Sequence, residues 1–136
     1  MLDTAVPSHV RAAQRLEDEL IIWLTTVRSD GQPQTSPVWF VWDGQSFLIY
    51  SRPSTPKLAN IQGNHRVSLN FDGNGTGGDI VIFEGSAARS DDPPANTIPD
   101  YLEKYRERIE RLGTTPQGFA DSYSVPIRVV PTRVRA

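Results

Sequence analysis

The stretch SPVWFVW, residues 36–42, sets the hardest condition on any fold of this chain. Side chains of a strand alternate between its two faces, so Val38, Phe40 and Trp42 fall on one and Trp39 and Val41 on the other. Both faces are apolar and both need cover. One can line a barrel interior. The other requires a helix, a partner subunit or a flat ligand.

The flanking sequence supplies the rest of a barrel. Pro7 to Glu19 reads as a short helix, with proline tolerated in its first turn and Val10, Ala13 and Leu16 spaced three apart. LIIWLTTV, residues 20–27, is dense in branched and aromatic residues and reads as a strand with little water on either face. Asp30-Gly31 and Asp43-Gly44 are hairpin signals on either side of a strand from Pro33 to Trp42, so three strands are expected in meander order. STPKLANIQGN predicts a helix, with Ser54 or Thr55 at the N-cap, Pro56 at the first helical position and Gly63-Asn64 at its end. In HRVSLNF, apolar Val67, Leu69 and Phe71 alternate with Ser68 and Asn70, the pattern of a strand with one wet face. The glycine-rich DGNGTGGD then leads into the strand IVIFEGSAA.

A long helix is expected from Pro94 to Leu112, with Ile98, Tyr101, Leu102, Tyr105, Ile109 and Leu112 in one stripe. Its Glu103, Glu107 and Glu110, interleaved with Lys104, Arg106, Arg108 and Arg111, read as a solvated face. The final strand, SVPIRVVPTRVRA, carries Pro126 and Pro131 and is expected at an edge or a bulge. The sum is a mainly β chain with helices: a six-stranded split or closed barrel in a single domain, residues 1–136. A chain of this length removes roughly two thirds of its unfolded surface from water, enough for one core.

Composition excludes several functions. A net charge of −2 and a pI near 5.6 argue against a nucleic-acid binder working through a broadly basic surface. The aromatics interleave with apolar rather than exposed basic residues, against an oligonucleotide-binding barrel. No cysteine is present, which removes disulfides, thiolate metal sites and cysteine nucleophiles. His9 and His65 lie far apart and suggest no metal constellation. No GxSxG elbow exists, so a hydrolase is not indicated. The N-terminal residues lack a basic start followed by an apolar run, and no stretch approaches membrane-spanning length, so a soluble, cytoplasmic protein is expected.

The order LTTVRSDGQPQTSPVWFVWDGQSFLIYSRPSTPKLANIQGNHRVSLNFDG, followed by GGDIVIFEGSA, resembles the pyridoxamine-phosphate-oxidase-like superfamily, the FMN-binding split barrel. More narrowly it is similar to the actinobacterial branch of PPOX-class, coenzyme F420-dependent enzymes. The resemblance covers about Leu20 to Ala88, more weakly the terminal strand, and is most specific in GxPxxSPVWF and YSxxxxxKxxNI. It implies a homodimer with a redox-active flavin or deazaflavin in a groove between subunits, and hydride transfer without an acid/base side chain.

The residues suit such a ligand. A planar tricyclic ring wants an apolar bed, and its anionic tail wants cations and donors at a strand end or helix start. Pro37, Val38 and Trp39 offer the bed. Ser51, Arg52, Thr55 and Lys57 offer the donors, joined by free N–H groups of the helix that follows. Each has a plainer reading as well: Lys57 as a solvated helix lysine, Trp39 as core, and Gln34 and Ser36 as the wet face of a strand rather than contacts to tail or ring. Trp42 is assigned to the core. Arg128, Arg133 and Arg135 either keep an edge from pairing or face the cofactor's acidic tail across the dimer.

A terminal phosphomonoester, as in FMN, needs several cations, and the ending VVPTRVRA lacks the basic RLxP-type motif of the pyridoxamine oxidases. The deazaflavin's phosphodiester and polyglutamate tail suit scattered cations. Coenzyme F420 is therefore the expected cofactor, with a small organic substrate. FMN chemistry on the same barrel, or a non-catalytic cofactor carrier, are the alternatives.

Overall fold

The computed structural model describes residues 1–136. Eleven helices and strands build it: α1 (Pro7–Asp18), β1 (Ile22–Val27), β2 (Pro33–Val38), β3 (Val41–Trp42), β4 (Phe47–Ser51), α2 (Pro56–Gly63), β5 (Arg66–Asn70), β6 (Ile82–Arg89), α3 (Pro99–Arg111), α4 (Pro116–Ser122) and β7 (Val125–Arg135), with a 3-10 turn at Ala95–Thr97. No helix is long and apolar enough to cross a membrane.

Seven strands form one antiparallel sheet in the order β2-β1-β5-β6-β7-β4-β3, against the six expected. The extra strand arises because Pro33–Trp42 is not continuous. Its first part pairs with β1, from Ile22↔Val38 to Val27↔Pro33, and its last two residues pair with β4. The meander therefore holds as two separate hairpins at opposite ends of the sheet. Only Trp39 and Phe40 join these two edges, and three peptide links span at most about 11 Å. The sheet has to curl until its edges meet, which makes it a split barrel.

The expected alternation of faces follows this crossing. Val38 and Phe40, with Trp42 packed against them, join an 18-residue cluster in the barrel with Phe47, Phe71 and Phe83. Trp39 and Val41 pack on a second cluster of seven buried residues beneath α3 and α4, among them Tyr101, Tyr105 and Phe119. A helix layer, rather than a ligand alone, covers the outer face.

At the crossing the backbone of Phe40 has no strand partner, and α3 provides for it. Phe40 N donates to Tyr105 Oη at 2.8 Å, and Tyr105 Oη lies 2.8 Å from Leu20 O and 3.0 Å from Phe40 O. Lys104 Nζ donates to Phe40 O at 3.0 Å and stands 3.7 Å above the centre of the Phe40 ring. Lys104 is thus not part of a solvated face. Burial pulls its ammonium down to about 8, opposed only in part by Glu17, Asp18 and Glu19.

Three further expectations need correction. The long helix is broken: Pro99 starts α3, and Ala95–Thr97 is a separate turn. Proline lacks an N–H and restricts the residue before it, so a helix restarts there more readily than it continues. Leu112 leaves the buried stripe at the C-terminal end of α3 and is 60 % exposed.

Most consequentially, β7 is interior, paired with β4 on one side and β6 on the other. Its prolines sit where no ladder bond is lost. Pro126 lies beyond the last β6 pair, Arg89↔Ile127, and Pro131 faces Gly85 at a bulge. Arg128 is paired within its own chain, with Asp92 at 2.7 and 2.9 Å and with Asp43 at 3.0 Å, and lies on an interior strand, so it guards no edge.

The glycine-rich loop is tied to α1. Buried Arg15 donates to Asp72 O at 2.6 Å and to Asp79 O at 2.9 Å.

Two predictions follow from this architecture. A Cβ at Gly85 would stand 2.6 Å from Val130 O and 3.0 Å from Pro131 Cα, backbone atoms that cannot swing aside. Gly85→Ala should therefore lower unfolding free energy by about 1–3 kcal/mol in urea titration. Lys104 concerns pH. Its folded pKa lies below its ordinary value of 10.5, so the folded chain releases this proton from about pH 8 while the unfolded chain holds it to about 10.5. The penalty for burying the charge is full below pH 8 and fades as pH rises. The stability of the wild type relative to Lys104→Met should climb between pH 8 and 10.5; a flat difference would refute the burial of a charged amine here.

Candidate functional site

The rim of β4 is a compact hydroxyl turn. Ser51 is 1 % exposed, and its Oγ lies 2.9 Å from Arg52 O and shares a hydrogen bond with Thr55 Oγ1 at 2.9 Å. Thr55 occupies the N-cap position of α2, yet its side chain caps no N–H. Both hydroxyls brace the turn. Ser54 between them adopts φ 65, a left-handed conformation that costs a non-glycine residue on the order of 1 kcal/mol and persists only where the surroundings enforce it. The turn delivers Lys57, on the first turn of α2, to a cavity.

That cavity has a volume of about 290 Å³, and seven of its nine lining residues are hydrophobic. Pro37, Val38 and Trp39 form one wall, at the end of β2 and the crossing. Tyr50 of β4 and Tyr101 of α3 belong to other elements than Lys57 but line the same cavity. Leu112 at the end of α3, Phe119 in the middle of α4 and Tyr123 at its end complete the lining.

The aromatic side chains are stacked in succession. Trp39 lies parallel to Tyr105, with centroids 4.6 Å apart and 3° between planes, and to Phe119 at 5.2 Å and 13°. Phe119 in turn stacks on Tyr123 at 4.5 Å. The Arg52 guanidinium lies 5.2 Å from the Tyr123 centroid, close enough for a cation–π contact. Trp39 is therefore both part of the second core and a cavity wall, so the two readings of this residue are not exclusive.

Lys57 is the sole charged residue of the lining, and burial lowers the pKa of its amine. An amine that has given up part of its hydration gains more from a nearby anion than a fully solvated one does. Tyr50 Oη donates to Pro93 O, and burial pushes its phenol up to about 12. Tyr101 is fully buried and its hydroxyl has no partner.

The expected site residues divide accordingly. Pro37, Val38, Trp39 and Lys57 meet at the cavity, and Arg52 reaches it through Tyr123. Ser51 and Thr55 support the turn from behind. Gln34 is engaged elsewhere: Asn60 Nδ2 donates to Gln34 Oε1 and to Thr26 Oγ1, each at 2.9 Å, pinning α2 to the β1–β2 hairpin. Ser36 follows Gln34 on the same side of β2 and does not line the cavity. Tyr50, Tyr101, Leu112, Phe119 and Tyr123 were not expected. The tyrosine stripe at positions 101 and 105 signalled a buried helix face, but no local pattern told which cavity it would face.

Larger cavities differ in character. One of about 550 Å³ is walled by His9, Glu84, Arg133 and Arg135, one of about 420 Å³ by Glu17, Asp100, Glu103 and Lys104, and one of about 370 Å³ by His65, Arg66 and Glu84. Their mixed charges give a flat apolar ring no bed, so volume alone does not mark the site. Arg133 and Arg135 face the first of these rather than Lys57.

Residues 9–136 match the pyridoxamine 5'-phosphate oxidase family, PNPOx_N. Among solved structures, the conserved hypothetical protein Rv2991 from Mycobacterium tuberculosis is 24 % identical, with a TM-score of 0.74 over 96 % of this chain and 84 % of that one. A structure described as an F420 reductase is 27 % identical, with a TM-score of 0.63 over 90 % and 94 % of the two chains. A FAD-binding protein from Mesorhizobium loti is 16 % identical, with a TM-score of 0.64 over 92 % and 88 %. No curated protein matches the chain. The family match spans nearly the whole length and the curled antiparallel sheet agrees with it: this chain belongs to the pyridoxamine 5'-phosphate oxidase family.

Proposed function

We propose that this protein is an oxidoreductase of the F420-dependent branch of its family, holding the deazaflavin in the cavity beside Lys57, in a groove completed by a second copy of the chain, and reducing a small organic substrate. The observation that carries this reading is the pairing of an aromatic-walled cavity with a single half-buried cation at its edge. The 27 % identity to an F420 reductase supports it.

The lining fits the group on physical grounds. Apolar walls and stacked rings suit a planar heterocycle, while one unpaired cation suits a single anionic linkage better than a dianionic phosphomonoester. When bound, the deazaflavin supplies hydride chemistry. The chain's own part is positional. Val38 and Trp39 hold the ring's plane against the barrel seam, Phe119 and Tyr123 keep water from it, and Lys57 fixes the charged linkage. No acidic or imidazole side chain lines the cavity, in keeping with orientation rather than acid/base catalysis by such groups.

FMN on the same cavity is the competing reading, favoured by the similarity to a FAD-binding protein. Parallel fluorescence titrations of the purified protein decide between them, with F420 expected to bind tighter than FMN. Lys57→Ala should weaken F420 binding by about ten- to a hundredfold, the loss of a charge-assisted contact of about 1.5–3 kcal/mol. Unchanged affinity in that variant would overturn the assignment, and binding without hydride transfer to quinones, enones or tetrapyrroles would leave a carrier.

A further inference from the structure

Tyr101 is placed as no packing residue needs to be. It is 0 % exposed, lines the cavity, and its hydroxyl finds no donor or acceptor in the protein. The hydroxyls of the two tyrosines packed on its ring are occupied. Tyr50 Oη donates to Pro93 O, and Tyr105 Oη serves Phe40 N, Leu20 O and Phe40 O. The other buried side-chain atom without a partner, Asn96 Oδ1, belongs to an amide whose nitrogen donates to Gln117, and it does not line the cavity.

Burying a hydroxyl with nothing to bond is unfavourable, and native proteins seldom leave one so. Phenylalanine would keep the same ring contacts, with Tyr50 at 5.2 Å edge-on, Tyr105 at 4.9 Å and Phe119 at 6.0 Å, without that cost. The hydroxyl is therefore a liability in the free protein that a bound molecule can offset by bringing the missing partner.

We infer that the Tyr101 hydroxyl is a ligand-binding group, which hydrogen-bonds the polar edge of a planar, carbonyl-bearing heterocycle seated in this cavity. The inference rests on the cofactor reading above and adds to it the group that recognises the ring's edge. A phenol can donate to a ring carbonyl or accept from an imide N–H, and the two functions sit side by side on such rings. Burial, reinforced by the neighbouring tyrosines, holds this phenol well above its ordinary range, so it stays a neutral donor. Lys57 and Tyr101 then divide the ligand between them: the amine takes the charged linkage, the phenol the uncharged edge.

Opposite signs in two measurements test this. Wild type and Tyr101→Phe are titrated with F420 and with FMN, and both are melted without ligand. Tyr101→Phe should bind the preferred ligand about tenfold more weakly, as loss of one buried hydrogen bond implies, while its ligand-free melting temperature stays equal or rises. The absorption band of the bound ring should also shift between the two proteins. If wild type binds and Tyr101→Phe binds equally well, this inference alone fails. Weaker binding with a lowered melting temperature also overturns it, because the hydroxyl would then be serving the fold. Wild type that binds neither ligand overturns the cofactor reading together with this one.

Discussion

One backbone peptide holds this architecture together. The chain leaves β2 at one edge of the sheet and enters β3 at the other, and in between Phe40 can pair with neither. A buried N–H and C=O without partners would cost several kcal/mol in total, enough to threaten a marginally stable domain. Tyr105 and Lys104 meet both groups from one turn of α3. The barrel's closure thus depends on a helix lying outside it, and the helix is fixed in place by the peptide it satisfies.

The cavity is a by-product of that arrangement. Because α3 must present Tyr105 to the crossing, Tyr101, one turn earlier on the same face, is carried to the space between the sheet and α4. Trp39, forced outward by alternation when Phe40 turns in, stacks between these helices and forms the cavity wall. On the other side, the strained turn at Ser54 and the paired hydroxyls of Ser51 and Thr55 set where α2 starts and so where Lys57 stands. Aromatic wall and cation come from elements with separate structural reasons to be rigid, which is what a preorganised site requires.

Much of this was legible in the sequence because it was written in short-range patterns. Alternation in SPVWFVW assigned Val38 and Phe40 to one core and Trp39 to another environment. Pro56 marked the first turn of α2, and Asp30-Gly31 and Asp43-Gly44 marked turns whose glycines take φ of +88 and +95. What the sequence left illegible needed knowledge of a distant partner. Lys104 has the sequence context of any surface lysine, and only the orphaned carbonyl at Phe40, far along the chain, calls its amine inward. Gln34 looks like a free polar group until Asn60 is found against it. Pro126 and Pro131 pointed to an edge or a bulge; Pro131 does sit at a bulge, but Pro126 falls past the end of β6, so β7 runs through the middle of the sheet with both. Tyr101 was read correctly as buried; that its hydroxyl is unmatched is a property of its whole surroundings.

The stacked rings have an optical consequence. Of three tryptophans, Trp23 donates its indole N–H to Asp72 at 2.8 Å and Trp42 packs on the barrel core, leaving Trp39 alone in the cavity wall. Lying nearly coplanar in tilt with Tyr105 and Phe119, its indole is a chromophore already wired to the seam on one side and to α4 on the other. Whatever enters beside it alters the light that indole emits, so the molecule carries its own gauge of occupancy.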